Sequence, residues 1–202
     1  AGFYAERGSW DQSKSLYHRI LGADPNKIPS DIYVGAAQNL ISLYDLNQQP
    51  DSANILLGRV EKWNILVNSY LAFKHQFYRA RIHRKLHEYS DAEKELDKLI
   101  ATLAARKDPE FAELFKESLQ ERGVLYLQTG SFSRAEKTLL DAYQLAKADG
   151  NDGSLLTELS NNLAQVYDKL NIHDKALRYY QESLKRCRGS YEENSLPFGI
   201  LE

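Results

Sequence analysis

The sequence predicts an all-α chain in which pairs of antiparallel helices repeat along its length. Apolar residues recur at intervals of three and four, which is the spacing of amphipathic helices. Small residues also recur at positions 13, 53, 92, 135 and 176, separated by 40, 39, 43 and 41 residues. Turn-forming residues interrupt the helical pattern between these units, around Pro25, Pro109 and Gly150. The near-constant period indicates a repeat protein of about five units.

Two units in the second half of the chain show the repeat most clearly. The first contains Gly123, Tyr126, Gly130, Phe132 and Ala135, and its companion follows 41 residues later with Ala164, Tyr167, Asn171, Ile172 and Ala176. The same register places earlier residues in equivalent positions: Tyr44 with Ala53, His83 with Ala92, and Tyr4, Gly8 and Trp10 with Ser13. The N-terminal repeat, which contains Ser13, therefore lacks the beginning of its first helix.

Each unit is predicted to contain two helices joined by a short turn. Gly130 and Asn171 follow the first helix of their units, and both residue types tolerate the left-handed backbone conformation that ends a helix. Ala135 and Ala176 are small enough for the paired helices to cross closely. The boundary near residues 64 to 68 has no Gly or Pro, so a long continuous helix is an alternative there.

These residues resemble the tetratricopeptide repeat, whose pattern has a small residue, an aromatic residue three positions later, then Gly, an aromatic residue and Ala. The resemblance covers residues 1–186, with a period near 40 where the usual repeat has about 34 residues. Elongated units of this kind are similar to those of kinesin light chains, a polarity adaptor and bacterial signalling regulators. The resemblance implies a right-handed superhelical solenoid of antiparallel helix pairs, with the first helix of each pair lining a concave groove.

Composition limits the classes of partner. Lys and Arg number 26 against 28 Asp and Glu, a net charge of −2, which argues against a nucleic-acid partner. No apolar run reaches the about 18 residues of a membrane span, so no membrane partner is expected. The single Cys187 cannot form an intramolecular disulfide, and we expect a cytoplasmic protein.

The last residues of the sequence are predicted to form a flexible tail. Residues 187–202 lack a clear helical pattern and contain Gly189, Pro197 and Gly199. The final Leu201-Glu202 has the character of a cloning remnant, and the absence of Met indicates a fragment of a longer protein. Functional weight is therefore given to residues 1–186.

No catalytic signature occurs in the sequence. There is no phosphate-binding loop, nucleophile elbow or paired-cysteine zinc spacing, so the chain is predicted to be no enzyme and to need no cofactor. His83 and His87 have metal-compatible spacing, but a metal site needs about three or four ligands and no others accompany them. We therefore predict no metal site.

The candidate partner-binding residues lie on the first helices of repeats three, four and five. They are Lys74, Phe77, Arg81, Arg84 and Lys85, then Gln120 and Gln128, then Asn161 and Gln165. Residues 72–87 carry five basic side chains and no acidic one, which suits an acidic protein or peptide. The alternatives are a solvated face or pairing with Glu117 and Glu121 of the next repeat. The amides suit the backbone of an extended peptide, or are ordinary exposed side chains.

The sequence favours a non-enzymatic adaptor or scaffold that binds a protein or peptide in the concave groove. The alternative is a ligand- or peptide-sensing regulatory region of a larger bacterial signal-transduction or transcription-regulating protein. Homo-oligomerisation is a third hypothesis, because the incomplete first repeat would leave apolar surface exposed.

Overall fold

A computed structural model describes residues 7–24, 27–61, 70–106, 108–150 and 153–194. Within these ranges the chain is helical and contains no strand. The helices are α1 (Arg7–Leu21), α2 (Ser30–Leu46), α3 (Pro50–Glu61), α4 (Tyr70–Lys85), α5 (Tyr89–Ala104), α6 (Pro109–Gln128), α7 (Phe132–Asp149), α8 (Gly153–Lys169) and α9 (His173–Asn194). The predicted all-α class is confirmed.

The helices form two compact units, Ala1–Leu99 and Ile100–Glu202. In the first unit, α1 packs on α2, α2 on α3, and α4 on both α2 and α3. In the second unit, α6, α7, α8 and α9 pack in chain order, and α6 also contacts α8. Within each unit these helices pack on their neighbours in the chain, and α2 lies beside α4 and α6 beside α8, as stacked antiparallel helix pairs require.

The small residues that set the repeat period lie at helix crossings. Ala53, Ala92 and Ala135 have no exposed surface, and Ala176 exposes 3%. A larger side chain at any of these positions would need space that the neighbouring helix already fills. The predicted register of repeats two to five is therefore confirmed.

The turns inside the repeats share one backbone conformation. Gly130 (φ 75°) and Asn171 (φ 59°) are left-handed, as predicted, and Gln48 (φ 54°) and His87 (φ 64°) adopt the same conformation in repeats two and three. In each of these turns a backbone N–H donates to the carbonyl five positions earlier: Gln49 N to Tyr44 O, Glu88 N to His83 O, Ser131 N to Tyr126 O and Ile172 N to Tyr167 O, all 2.8–2.9 Å. This bond satisfies a carbonyl that the helix end leaves free.

The aromatic residues of the repeat pattern pack as predicted. Tyr126 exposes 4% of its surface and Tyr167 exposes 3%, whereas Tyr44 is half-buried. Basic side chains of the second helix cover two of these rings, with Arg134 4.0 Å from the centre of Tyr126 and Lys175 4.8 Å from the centre of Tyr167. These rings therefore join the two helices of a repeat and leave little stacking surface for a ligand.

The helix α9 continues to Asn194, so residues 187–194 are helical although the sequence showed no clear helical pattern there. A single Gly inside a helix costs about 1 kcal/mol, and Gly189 is followed by residues that sustain the helix. The expectations for residues 195–202, for Tyr4, and for a continuous helix through residues 64–68 lie outside the described residues.

Candidate partner-binding surfaces

Two basic side chains of α4 pair with one buried carboxylate of α2. Asp45 exposes 3% of its surface, and Arg81 Nε lies 3.1 Å from its Oδ2. Lys85 Nζ donates a 3.0 Å hydrogen bond to the backbone carbonyl of Asp45 and forms an ion pair with its carboxylate. Because Asp45 can reach both cations from one position, it joins α2 to the C-terminal part of α4.

A second cluster of charges surrounds Arg79. Its guanidinium donates to Glu61 Oε1 at 2.7 Å and to Glu95 Oε1 at 2.6 Å, and so links α4 to the end of α3 and to α5. Burial raises the pKa of Glu61, but the hydrogen bond and charge of Arg79 outweigh burial and hold that pKa below its usual value. Burial likewise lowers the pKa of Arg79, and its two carboxylates more than restore it.

The other predicted residues of α4 differ in accessibility. Phe77 exposes 4% of its surface and packs edge-on against Tyr78, so it belongs to the core and offers no open binding surface. Arg84 exposes 8%, whereas Lys74 is half-buried with Nζ 5.9 Å from the centre of the Tyr70 ring. The assignment of Phe77 to an open groove position was wrong, because the side chain is almost completely buried.

The basic stripe is thus substantially neutralised inside the first unit. Asp45, Glu61 and Glu95 contact three of its five cations, which sequence spacing did not predict because these acids lie on α2, α3 and α5. Paired charges must lose their partners before they can bind a ligand, so they attract an acidic peptide less than free charges do.

The histidines of this region do not converge on one point. His75 is buried at 3% exposure, with Nε2 3.4 Å from Glu61 Oε1, and burial lowers its pKa although Glu61 opposes the shift. His83 Nδ1 contacts the Glu88 carboxylate, while His87 Nδ1 lies 2.7 Å from Tyr89 Oη. Among the described residues, no group of three or more His, Cys, Asp or Glu side chains is arranged to hold a metal ion.

A different surface lies on α6 and α8 of the second unit. Gln120 Nε2 donates a 2.8 Å hydrogen bond to Glu158 Oε2, which brings one face of α6 beside one face of α8. On α8 the positions three and seven residues after Glu158 share its face, and these are Asn161 and Gln165. Four of the predicted residues therefore lie on two adjacent helix faces: Gln120, Gln128, Asn161 and Gln165.

The polar side chains of this face are accessible. Asn161 is exposed and Gln165 is half-buried, and within the described part of the chain neither makes a hydrogen bond or an ion pair. Gln128 is exposed near the end of α6, and Val124 and Leu127 beside it are half-buried. We call the surface formed by Gln120, Val124, Leu127, Gln128, Asn161 and Gln165 the α6–α8 face. It combines the unused amides of Asn161 and Gln165 with partly exposed apolar groups.

Sequence and structure comparisons agree with this architecture. Residues 116–189 match the sequence model of the tetratricopeptide repeat. No curated protein shows significant sequence similarity to the chain. In the residues that the structure describes, no helix is both long enough and apolar enough to span a membrane.

Several solved structures share the fold. BtubC (BKLC) from P. vanneervenii has a TM-score of 0.68 and 20% identity, covering 94% of this chain and 77% of its own. A structure of nearly identical tetratricopeptide-like repeats, described as a kinesin light chain from Podosopora anserina, has a TM-score of 0.65 and 16% identity, covering 92% of this chain and 90% of its own. MamA has a TM-score of 0.57 and 16% identity, covering 92% of this chain and 93% of its own. The chain has the tetratricopeptide-repeat fold, and the predicted resemblance, of the elongated type, is confirmed.

Proposed function

We propose that the chain is a non-enzymatic adaptor that binds an extended peptide segment of a protein partner, with the α6–α8 face as the contact surface. The observation that carries the proposal is the pair of unused amides, Asn161 and Gln165, on a face that α6 and α8 share. Side-chain amides offer both a donor and an acceptor, which match the backbone N–H and C=O groups of an extended peptide.

The apolar part of the face supports the same proposal. Val124 and Leu127 are half-buried next to the amides, so a bound side chain could cover them and exclude water from the hydrogen bonds. The basic residues of α4 make a smaller contribution in this proposal, since their carboxylate partners already contact them. Within the described residues Lys74 forms no ion pair with a carboxylate, so it is the cation of that stripe that we propose for contact with an acidic segment. The compartment we propose is the cytoplasm, in which Cys187 would stay reduced.

A peptide selection tests the proposal. Random 12-residue peptides displayed on phage would be selected on the whole chain, and the affinity of the recovered peptides measured by fluorescence anisotropy. The test variant is Asn161→Ala combined with Gln165→Ala. Its matched control is Gln144→Ala combined with Gln181→Ala, which removes two exposed amides from α7 and α9 instead.

We expect the Asn161/Gln165 variant to bind at least about tenfold more weakly, since two hydrogen bonds contribute about 1 kcal/mol each. The control variant should bind as the unmodified chain does. Failure to recover any binding peptide, or equal losses in the two variants, would reject the proposal. The same surface would serve a sensing region of a larger signalling protein, and a C-terminal or N-terminal output domain in the full-length gene would favour that alternative.

A further inference from the structure

The first unit contains a cavity of about 260 Å³ between α1, α2 and α3. None of the predicted partner-binding residues lines it. Its floor is apolar, because Leu40 exposes 1% and Leu56 exposes 6% of their surfaces, and Leu21 completes it. Ile55, with 65% exposure, stands at the side of α3. A short aliphatic group would find apolar contacts there, of the kind that line most small-molecule sites.

The polar groups around this floor include one cation, Arg59. Arg59 is exposed, and within the described residues it forms no hydrogen bond or ion pair. Across the cavity, Tyr44 Oη lies 3.0 Å from His18 Nε2, and Lys14 Nζ lies 5.0 Å from the centre of the Tyr44 ring. Tyr44 and His18 therefore satisfy each other by one hydrogen bond, whichever of the two donates. Ser52 adds a hydroxyl group to the wall.

Two backbone carbonyls of residues that line the cavity are already in use. The His18 carbonyl accepts a 2.9 Å hydrogen bond from Gly22 N, and the Leu21 carbonyl accepts a 3.0 Å bond from Tyr33 Oη. Asp51 lies on α3, but it is eight residues from Arg59, which is about 12 Å along a helix. The balance of charge at the Arg59 end therefore favours an anion.

We propose that this cavity binds a monocarboxylate that carries a short aliphatic group. The carboxylate contacts Arg59, which can hold it through two parallel hydrogen bonds, and the aliphatic group covers Leu21, Leu40 and Leu56. Such a ligand is either a free short-chain fatty acid or the C-terminus of a peptide that ends in an aliphatic residue. The proposal concerns helices other than α6 and α8, so it stands or fails independently of the proposed adaptor function.

Two pairs of probes test this site by isothermal titration calorimetry on the whole chain. The first pair is hexanoate and uncharged hexanamide, and the second is acetyl-Gly-Gly-Leu with a free carboxylate and the same peptide as its amide. The test variants are Arg59→Gln, which removes the cation, and Ser52→Phe, which fills the cavity. The matched control is Arg19→Gln, which removes an exposed cation of α1 that does not line the cavity.

We expect saturable binding of at least one acid, and about tenfold weaker binding of its amide. Arg59→Gln should weaken the acid about fivefold, whereas Arg19→Gln should change its affinity less than twofold. Binding of hexanoate alone would assign a fatty acid, and binding of the peptide acid alone would assign a peptide C-terminus.

Three results would overturn the proposal: no acid binds, acid and amide bind equally, or Arg19→Gln has the same effect as Arg59→Gln. Melting curves of each variant show whether it is folded, and Arg59 is exposed, so its replacement should leave the fold intact. If Ser52→Phe does not fold, the comparison of Arg59→Gln with Arg19→Gln still decides the outcome.

Discussion

The close crossing of α6 and α7 depends on Gly123, and a Gly123→Ala substitution tests it. A Cβ atom added at Gly123 would lie 2.5 Å from both Cγ and Cδ2 of Leu139. Leu139 has no exposed surface, so it cannot move aside into solvent. At Gly35, inside α2, an added Cβ would meet no atom within 4 Å, which makes Gly35→Ala the matched control.

The two substitutions should change stability in opposite directions. In both variants the free energy of unfolding gains about 1 kcal/mol, because Ala favours a helix more than Gly does. Gly123→Ala must also push Leu139 out of place, and overpacking of a filled core costs about 1–3 kcal/mol. We therefore expect Gly35→Ala to stabilise by up to about 1 kcal/mol and Gly123→Ala to destabilise by about 1 kcal/mol. The melting temperatures should differ by about 4–8 °C.

Differential scanning calorimetry measures both changes and resolves the two units if they melt separately. Leu139→Ala provides a further control, because it removes the atoms with which the new Cβ would collide. In that background Gly123→Ala should no longer destabilise. An increase in melting temperature from Gly123→Ala alone, or an equal loss with and without Leu139, would refute the assigned helix crossing.

Three further predictions concern buried charges. Asp45→Asn should lower the free energy of unfolding by about 2 kcal/mol, which is less than the loss of a completely buried ion pair, because the cations of Asp45 are partly exposed. The exposed control Asp141→Asn should change the free energy of unfolding in urea by less than about 0.5 kcal/mol. Folding lowers the pKa of His75, so below the ordinary histidine pKa the unfolded chain binds more protons, and stability should fall as the pH drops from 7 to 5. His75→Gln should make the melting temperature depend less on pH over that range, and an unchanged slope would contradict this prediction. Lys116 exposes 2% of its surface and pairs with Glu113 and Asp149 at 2.7 Å, but both acids are half-exposed and would be hydrated without the lysine. Lys116→Met should therefore lower the free energy of unfolding in urea by less than about 1 kcal/mol, and a loss above about 3 kcal/mol would show that the ion pairs dominate.

The repeat architecture could be predicted because it depends on local sequence. Alanine at 53, 92, 135 and 176 keeps a fixed offset from an aromatic residue or His83, and a helix crossing that tolerates only small side chains leaves a visible period. The left-handed turns at Gly130 and Asn171 were predictable from residue type. Gln48 and His87 adopt the same conformation, which His tolerates better than most residue types but Gln does not, so the repeat geometry imposes it at Gln48.

The state of the candidate site was less predictable, because it depends on contacts between distant residues. The five cations of α4 suggested a free basic surface, but Asp45 is about 40 residues from Lys85 in sequence and still contacts it. Phe77 occupies a helix position that spacing assigned to the groove, and only the packing of α4 shows that its ring is buried. Asn161 is exposed and Gln165 is half-buried, as the period of α8 predicts, and their role in binding stays a prediction.

The most direct test of the adaptor proposal is a measurement of where a bound peptide lies on the chain. A selected peptide with a nitroxide label, added to 15N-labelled chain, broadens the NMR signals of side-chain amides near the label. If the α6–α8 face binds the peptide, the side-chain amides of Asn161 and Gln165 should broaden, and those of Gln144 and Gln181 should stay sharp. Broadening at Gln144 and Gln181, with Asn161 and Gln165 unaffected, would contradict the proposal.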